Sequence, residues 1–256
     1  MVHTQPQAAQ RPPGSSAALR PFGSAADLDL DFGHADRPGL VTALLAQCVG
    51  TQDAEGWWQQ PVSLRTAALL ALVARTEGCS SLAMTARCMA PGCGVDFGFD
   101  LPLQGLPAAE AGQDVLTLCL DDRRTLTLRR PTGDDLRHWH AALPADDAAA
   151  PQAMLARLVL AGPWQDGDAT AVAAAIAEAD PLVDFSVACQ CPDCGAANSV
   201  AIDLEGLALT RLLARQQALL QQVHQLALHY GWTEATVLAV PAARRAQYLA
   251  LIEARP

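Results

Sequence analysis

The spacing of hydrophobic positions changes several times along this chain, and each change marks an element. Apolar residues recur at three- and four-residue intervals over 39–49 and again over 62–77, the second stretch opening after Pro61 and stopping at Gly78. That spacing predicts two helices. Trp57 and Trp58 fall in the connection and read as packing anchors. From Leu82 to Leu101 the pattern becomes strand, cysteine-containing loop, strand. Alternation returns over Asp114–Leu120 and Thr125–Arg129, around Asp121-Asp122-Arg123-Arg124, and predicts a β-hairpin. Pro131-Thr132-Gly133-Asp134-Asp135 ends that strand and caps a short helix through Trp139. Ala-rich helices are expected over 151–161 and 169–179, separated by a Gly-Pro-Trp turn. A second strand–loop–strand unit runs from about Asp184 to Leu204. Leu204 to Tyr230 then holds Leu at helical spacing until Gly231; Thr233 opens a short helix and Pro241 a last one.

The two strand–loop–strand units carry the chemistry. The first reads Cys88-Met-Ala-Pro-Gly-Cys93-Gly94 and reaches Asp100-Leu101; the second reads Cys189-Gln-Cys191-Pro-Asp-Cys194-Gly195 and reaches Asp203-Leu204. A pair of cysteines across a tight loop turns both sulfurs toward one ion, and the following glycine supplies the positive φ of the turn. Two such halves make a four-thiolate site. Cys88, Cys93, Cys191 and Cys194 are the expected ligands of a structural zinc ion, since four thiolates leave no open position for catalysis. Cys189 also forms a Cys-x4-Cys pair with Cys194, so a second quartet is possible; the tighter two-residue loop favours Cys191. The rival is a knuckle that survives as a turn without metal. Cys48 and Cys119 read as ordinary core cysteines and Cys79 as a structural residue at a helix end. The chain starts without a secretory hydrophobic segment, which argues against disulfides.

Composition narrows the function. Hydrophobic residues make up 51% of the 256, aromatics only 5%, and no lysine is present. No uninterrupted apolar run of membrane-spanning length occurs. A net charge of −10 opposes binding to nucleic-acid phosphates. Arg123, Arg124, Arg129 and Arg130 form the one candidate basic patch, at the ends of a predicted hairpin. Dinucleotide, phosphate-loop and nucleophile-elbow motifs are missing. His138-Trp139-His140 beside Asp134 and Asp135 has no evident nucleophile, and Cys191-x2-Cys194 lacks the βαβ context of a thiol-redox site.

The tail adds a resemblance. His224-Gln-Leu-Ala-Leu-His229-Tyr230-Gly231-Trp232-Thr233-Glu234 runs into Val237-Leu-Ala-Val-Pro241, then Arg244-Arg245 and Tyr248-Leu249. This succession resembles the C-terminal signature of the T-even phage baseplate hub assembly chaperone family, whose relatives occur in phage tails and contractile injection systems. Cys191–Leu204 and Leu128-Arg-Arg-Pro-Thr-Gly133-Asp-Asp135 are also similar to family motifs. The resemblance covers roughly 60–255 and is densest over 185–252; the widened first knuckle and the extra Cys189 depart from the family's paired pattern. It implies a cytoplasmic, non-enzymatic protein that helps to assemble a baseplate or becomes a minor part of one. Its partners would be other baseplate or hub proteins, with no membrane, nucleic acid or small-molecule substrate. The residues themselves also admit a zinc-ribbon regulator or nucleic-acid adaptor.

The expected fold class is α+β: duplicated zinc-ribbon-like β knuckles, a mainly helical remainder and a C-terminal helical tail. Residues 1–37 are expected to be a disordered or extended arm, and 38–130 helices with the first knuckle. Residues 131–183 read as a helical insertion, and 184–256 as the second knuckle and the tail. A long Leu-rich helix with two short ones would leave a groove for a partner helix. His224 and His229, five apart, read as packing or capping residues, and Arg244 and Arg245 as a solvated helix face.

Overall fold

The structure, a computed structural model, describes residues 19–49, 53–107, 115–120, 123–142 and 149–254. It is an α+β fold with small antiparallel sheets and a helical C-terminal segment. Helices α2 (Arg37–Cys48), α4 (Val62–Glu77) and the first half of α8 (Leu204–Tyr230) enclose the main core. Leu44, Leu45, Leu69, Leu72 and Val73 are fully buried there, joined by Ala208 and Leu212 of α8. Asp36 caps α2 through the Gly39 amide, Asp203 caps α8 through that of Gly206, and Arg37 pairs with both Asp203 and Glu205. Gly78 and Gly231 end α4 and α8 in the left-handed conformation, as the sequence predicts.

Two hairpins grow out of this core. Strands β1 (Ser81–Arg87) and β2 (Asp96–Pro102) form the first. Leu82 and Leu101, both buried at its root, plug it into the helices. Strands β6 (Ser186–Gln190) and β7 (Ala197–Ala201) form the second, rooted through Leu182, Ile202 and Leu204. The cysteine loops therefore lie at the far tips.

A smaller core sits under the sheet of β3 (Val115–Cys119), β4 (Thr125–Arg129) and β5 (Val159–Ala161), built from Leu126, Leu128, Leu158, Val172 and Ile176. Helices α6 (Ala150–Leu158) and α7 (Ala169–Ala179) cover it. The helix expected over 151–161 ends at Leu158, because Val159-Leu160-Ala161 pairs with the open edge of β4 instead. β-branched and apolar residues beside an unpaired strand edge gain more from the ladder than from another helical turn. This core spans the expected boundary at 130/131, and the insertion 131–183 carries a strand. The hairpin expected around 121–124 pairs as expected from Val115 on; Asp114, Asp121 and Asp122 lie outside the described residues.

The segment 128–135 joins the two cores. Pro131 accepts from the Val62 amide, and the Gly133 amide donates to Gln60. Asp135 heads α5 (Gly133–Ala142), is fully buried, and meets Arg129 at 2.7 Å and Arg157 at 2.8 Å. Gly133 lies under Arg65, a fully buried guanidinium that donates to the carbonyls of Trp57 and Pro38 and to Thr42 Oγ1, with its Cζ 5.2 Å from the Trp58 ring centroid. Burial lowers the Arg65 pKa to about 10, partly offset by Glu205, so it stays charged at neutral pH. A Cβ on Gly133 would stand 2.5 Å from Arg65 Nη1, and the hydrogen bonds pin that group in place. Gly133→Ala is expected to cost about 1–3 kcal/mol. Gly167→Ala, where a Cβ meets nothing within 4 Å, should be close to neutral in the same chemical denaturation series.

The arm expectation fails for residues 19–36. Leu19 and Phe22 are buried, the Phe22 amide donates to Thr76 Oγ1, and Gln216 of α8 donates to the carbonyls of Leu28 and Leu30. Asp27, fully buried, takes Arg20 and the amides of Gly23 and Ser24, which turns 25–28 into the short helix α1. Residues 1–18 of the arm lie outside the described residues. Trp57 and Trp58 anchor a short helix, α3 (Ala54–Trp58), and both are buried.

Candidate metal centre

Each hairpin closes through the same local geometry. The Cys88 amide donates to Val95 and the Cys191 amide to Ala196, so the last ladder bond of each hairpin holds the first thiol. Gly94 (φ 65°) and Gly195 (φ 71°) directly follow the closing cysteines and carry the chain back into the second strand. Any residue with a Cβ is strained at that φ. The backbone amides of Ala90, Val95 and Ala196 reach the sulfurs of Cys88, Cys93 and Cys194 in turn. Donors aimed at sulfur favour thiolate.

The hairpins face one another and bring the tips together. The ligand atoms of Cys88, Cys93, Cys191 and Cys194 all lie within 4.8 Å of one another, with Cys88 Sγ 3.6 Å from Cys194 Sγ and Cys93 Sγ 3.8 Å from Cys191 Sγ. Four sulfurs at the usual metal–sulfur distance of about 2.3 Å around a tetrahedral ion stand about 3.8 Å apart. The cage fits a tetrahedral thiophilic ion. Cys88 and Cys191 are buried, Cys93 is half-buried and Cys194 is exposed, so the centre sits at the surface with one flank to solvent.

The thiols resist ionising together. The Ala90 amide holds Cys88 down at about 7. Cys93 is pushed up to about 12: the Val95 amide opposes the shift, but burial and the thiols of Cys194, Cys88 and Cys191 outweigh it. Several adjacent thiolates require a cation to neutralise them.

Cys189 separates from Cys191 here. It lies on β6 and packs, half-buried, against the small core behind the cage, formed by Ala86, Cys88, Phe97 and Cys191. It is not one of the four converging thiols.

Asn198 is the site residue that the sequence reading missed. It is buried on β7, yet its Oδ1 accepts the Met89 amide of the other knuckle at 2.9 Å. Its Nδ2 donates to Ala196 O at 2.9 Å and lies 3.8 Å from Cys88 Sγ. One side chain thus ties the second hairpin to the first loop and supports a ligand. A polar residue at an inward position of the second strand was the only available signal. Asn198→Ala is expected to weaken metal retention about 10- to 100-fold, as loss of outer partners does at metal sites. Competition with a chromophoric chelator measures it.

The remaining candidates fall elsewhere. Cys48 is a core thiol that burial pushes up to about 12, with Asp27 adding and Arg20 opposing. Cys79 is half-buried just past the end of α4, as expected of a structural residue. Cys119 is exposed, contrary to expectation, because Leu116 and Leu118 take the inward positions of β3. Three of the four patch arginines are paired, Arg124 with Asp168, Arg129 with Asp135 and Arg130 with Asp180, and only Arg123 of the four is exposed with no carboxylate partner among the described residues. Asp134 pairs with Arg137, and His138 and His140 are exposed. His224 and His229 are exposed too, His229 edge-on to Tyr230. Arg245 is buried rather than solvated; Arg244 is exposed. No helix among the described residues is long and apolar enough to cross a membrane. No protein-family model, curated protein or solved structure matches the chain.

Proposed function

We propose that this protein is a non-enzymatic assembly factor or minor component of a phage-like contractile baseplate, acting by protein–protein binding and stapled by one structural zinc ion. The four-thiolate cage carries the zinc part of this reading. Its sulfur spacing fits a tetrahedral ion, its ligands are soft, and four protein ligands leave no position for a substrate. Cys88 and Cys93 from one hairpin and Cys191 and Cys194 from the other would hold the ion. It would cross-link segments about a hundred residues apart, and the ion itself supplies charge neutralisation and no reaction.

The baseplate part rests on the resemblance of the 224–249 succession. The helical tail gives it a physical basis: α9 (Glu234–Ala239) and α10 (Ala242–Glu253) pack on α8. The rival nucleic-acid adaptor needs a basic face, and three of the four arginines that could form one are turned to carboxylates.

Truncation after Gly231 tests the role. The main core takes nothing from the chain beyond Leu212, so the truncated protein should keep its zinc and its ribbon. It should fail to support particle assembly when co-expressed with sheath, tube and baseplate proteins, as scored by electron microscopy. Normal particles from the truncated protein would overturn the role assigned to the tail.

A further inference from the structure

Charge is segregated along this chain. Residues 206–256 carry five arginines and two glutamates, net +3, while 1–205 carry twelve arginines and twenty-five acids, net −13; the two sum to the −10 of the whole. Seven arginines of the acidic body, Arg20, Arg37, Arg124, Arg129, Arg130, Arg137 and Arg157, meet carboxylates, while the exposed Arg75, Arg87 and Arg123 and the buried Arg65 meet none among the described residues. In the tail, Arg211 reaches Glu77. Arg215, Arg244 and Arg245 meet no carboxylate among the described residues.

Arg215 and Arg245 lie together where α10 packs on α8, and Arg244 is the next residue before Arg245 on α10. Arg245 is only 6% exposed, donates from Nε to Gln222 Oε1 at 3.2 Å, and gives Nη1 to the carbonyls of Val237, Leu238 and Val240. No described acceptor meets its Nη2. Arg215 lies seven residues before Gln222 on the same face of α8. Its Nε is buried without a hydrogen-bond partner, and no described group accepts from the rest of its guanidinium. The two cations are close enough to interact: burial first, then the Arg215 charge, holds Arg245 below the ordinary arginine pKa. Arg244 is exposed on the outer face of α10, which it shares with Leu251, seven residues on and 60% exposed. Leu228, near the end of α8, is 80% exposed.

We propose that the surface where α8 meets α9 and α10 binds an acidic amphipathic segment of a partner protein, whose carboxylates pair with Arg215, Arg244 and the free edge of Arg245 while its apolar residues cover Leu251. Charge complementarity selects the occupant. The buried Arg245 and the half-buried Arg215, with no carboxylate beside them among the described residues, lack the pairing that buried cations normally find, and arginine's planar fork suits a carboxylate on an adjacent helix. The exposed Leu251, on the α10 face of Arg244, supplies apolar contact to a helix laid across the tail. This inference deepens the protein-binding reading above and rests on it only for the identity of the partner.

The test uses the full-length protein and a labelled helical peptide of about twenty residues with leucine on one face and glutamate on the other, beside the same peptide with lysine for glutamate. Fluorescence anisotropy should show binding of the glutamate peptide only, weakening with added salt and by about tenfold or more in Arg215→Gln and Arg244→Gln. Both variants should melt as the wild type does. Equal binding of both peptides, or unchanged binding by the variants, overturns the proposal. So does inorganic phosphate raising the melting temperature in an Arg215-dependent way while the glutamate peptide fails to bind, which would mark a free-anion site. Concentration-dependent dimerisation lost in Arg215→Gln, with no peptide binding, would make a second copy the occupant and also overturn it. A protein that binds the peptide yet is dispensable for particle assembly would leave this inference standing and remove the baseplate reading instead.

Discussion

Cys194→Ser is expected to strip the protein of its metal and remove most of the stability of the paired hairpins. Structural zinc contributes on the order of 10 kcal/mol or more to folding at sites of this kind. Little else holds the tips together. Between them lies the small core of Ala86, Cys88, Phe97 and Cys191 with its half-buried neighbours, and each unit is a two-stranded hairpin, which is marginal alone. Elemental analysis should find about one zinc per wild-type chain and none in Cys88→Ser, Cys93→Ser, Cys191→Ser or Cys194→Ser, all with lowered melting temperatures. Cys189→Ser should keep its zinc. Cys48→Ser should also keep it and lose only about 1–3 kcal/mol for a buried hydroxyl. Equal small losses across all six variants would refute the metal assignment.

Asp135→Asn should be the most damaging change outside the metal centre. Its carboxylate is fully buried and collects Arg129, Arg157 and both the amide and the hydroxyl of Thr132. Breaking a buried pair from one side leaves the other charges uncompensated and costs about 3–5 kcal/mol. The loss should fall on the joint between the two cores, since 128–135 also docks against Gln60, Val62 and Arg65. A pH signature separates this from generic damage. Burial raises the Asp135 pKa, but the Arg129 guanidinium, the Thr132 amide and Arg157 outweigh it and hold the carboxyl at about 2, against 3.8 ordinarily. A carboxyl depressed in the folded state stabilises at every pH above its unfolded value, and that stability drains away as pH falls from about 4 through about 2. Wild-type unfolding free energy should decline across that window, and the Asn variant should lack this part of the decline. Identical acid profiles would rule out Asp135 as its source.

The two cysteine loops show how a local signal survives into the structure. Spacing and a trailing glycine set a knuckle by themselves, because the turn is closed by its own backbone. The preference for Cys191 over Cys189 also rests on local geometry, and it is Cys191 whose sulfur converges with those of Cys88, Cys93 and Cys194. The repeated Asp-Leu pair that made the units look alike has two uses. Asp100-Leu101 finishes β2, with Leu101 plugging the hairpin root, whereas Asp203-Leu204 caps and opens α8. The dipeptide is the same; the next twenty-five residues decide.

The long-range partners were illegible. Nothing near Asn198 announces that it reaches Met89 on the other hairpin, and nothing near Arg65 announces that it passes over Gly133. Arg245 reads as a surface residue until the turn from α9 to α10 wraps its carbonyls around it. Leu19, Phe22 and Asp27 sit in a stretch whose composition resembles a loose arm. They fold because α2, α4 and α8 already present a surface to receive them.

The sequence alone determined the elements whose information is local: α4 and α8 with their glycine stops, the two knuckles with their candidate thiols, and the alternation of β3 with β4. Each depends on side-chain period, on a cap or on a turn glycine within a few residues. Only the tertiary structure decided what depends on distance along the chain. It brought Cys88 and Cys93 to Cys191 and Cys194, pulled Val159–Ala161 out of a helix onto the edge of β4, and buried Leu19, Phe22 and Asp27. It also left Arg215 beside Arg245 with no carboxylate partner among the described residues. Those outcomes are set by which surfaces meet once the helices pack, and no window of sequence contains both surfaces.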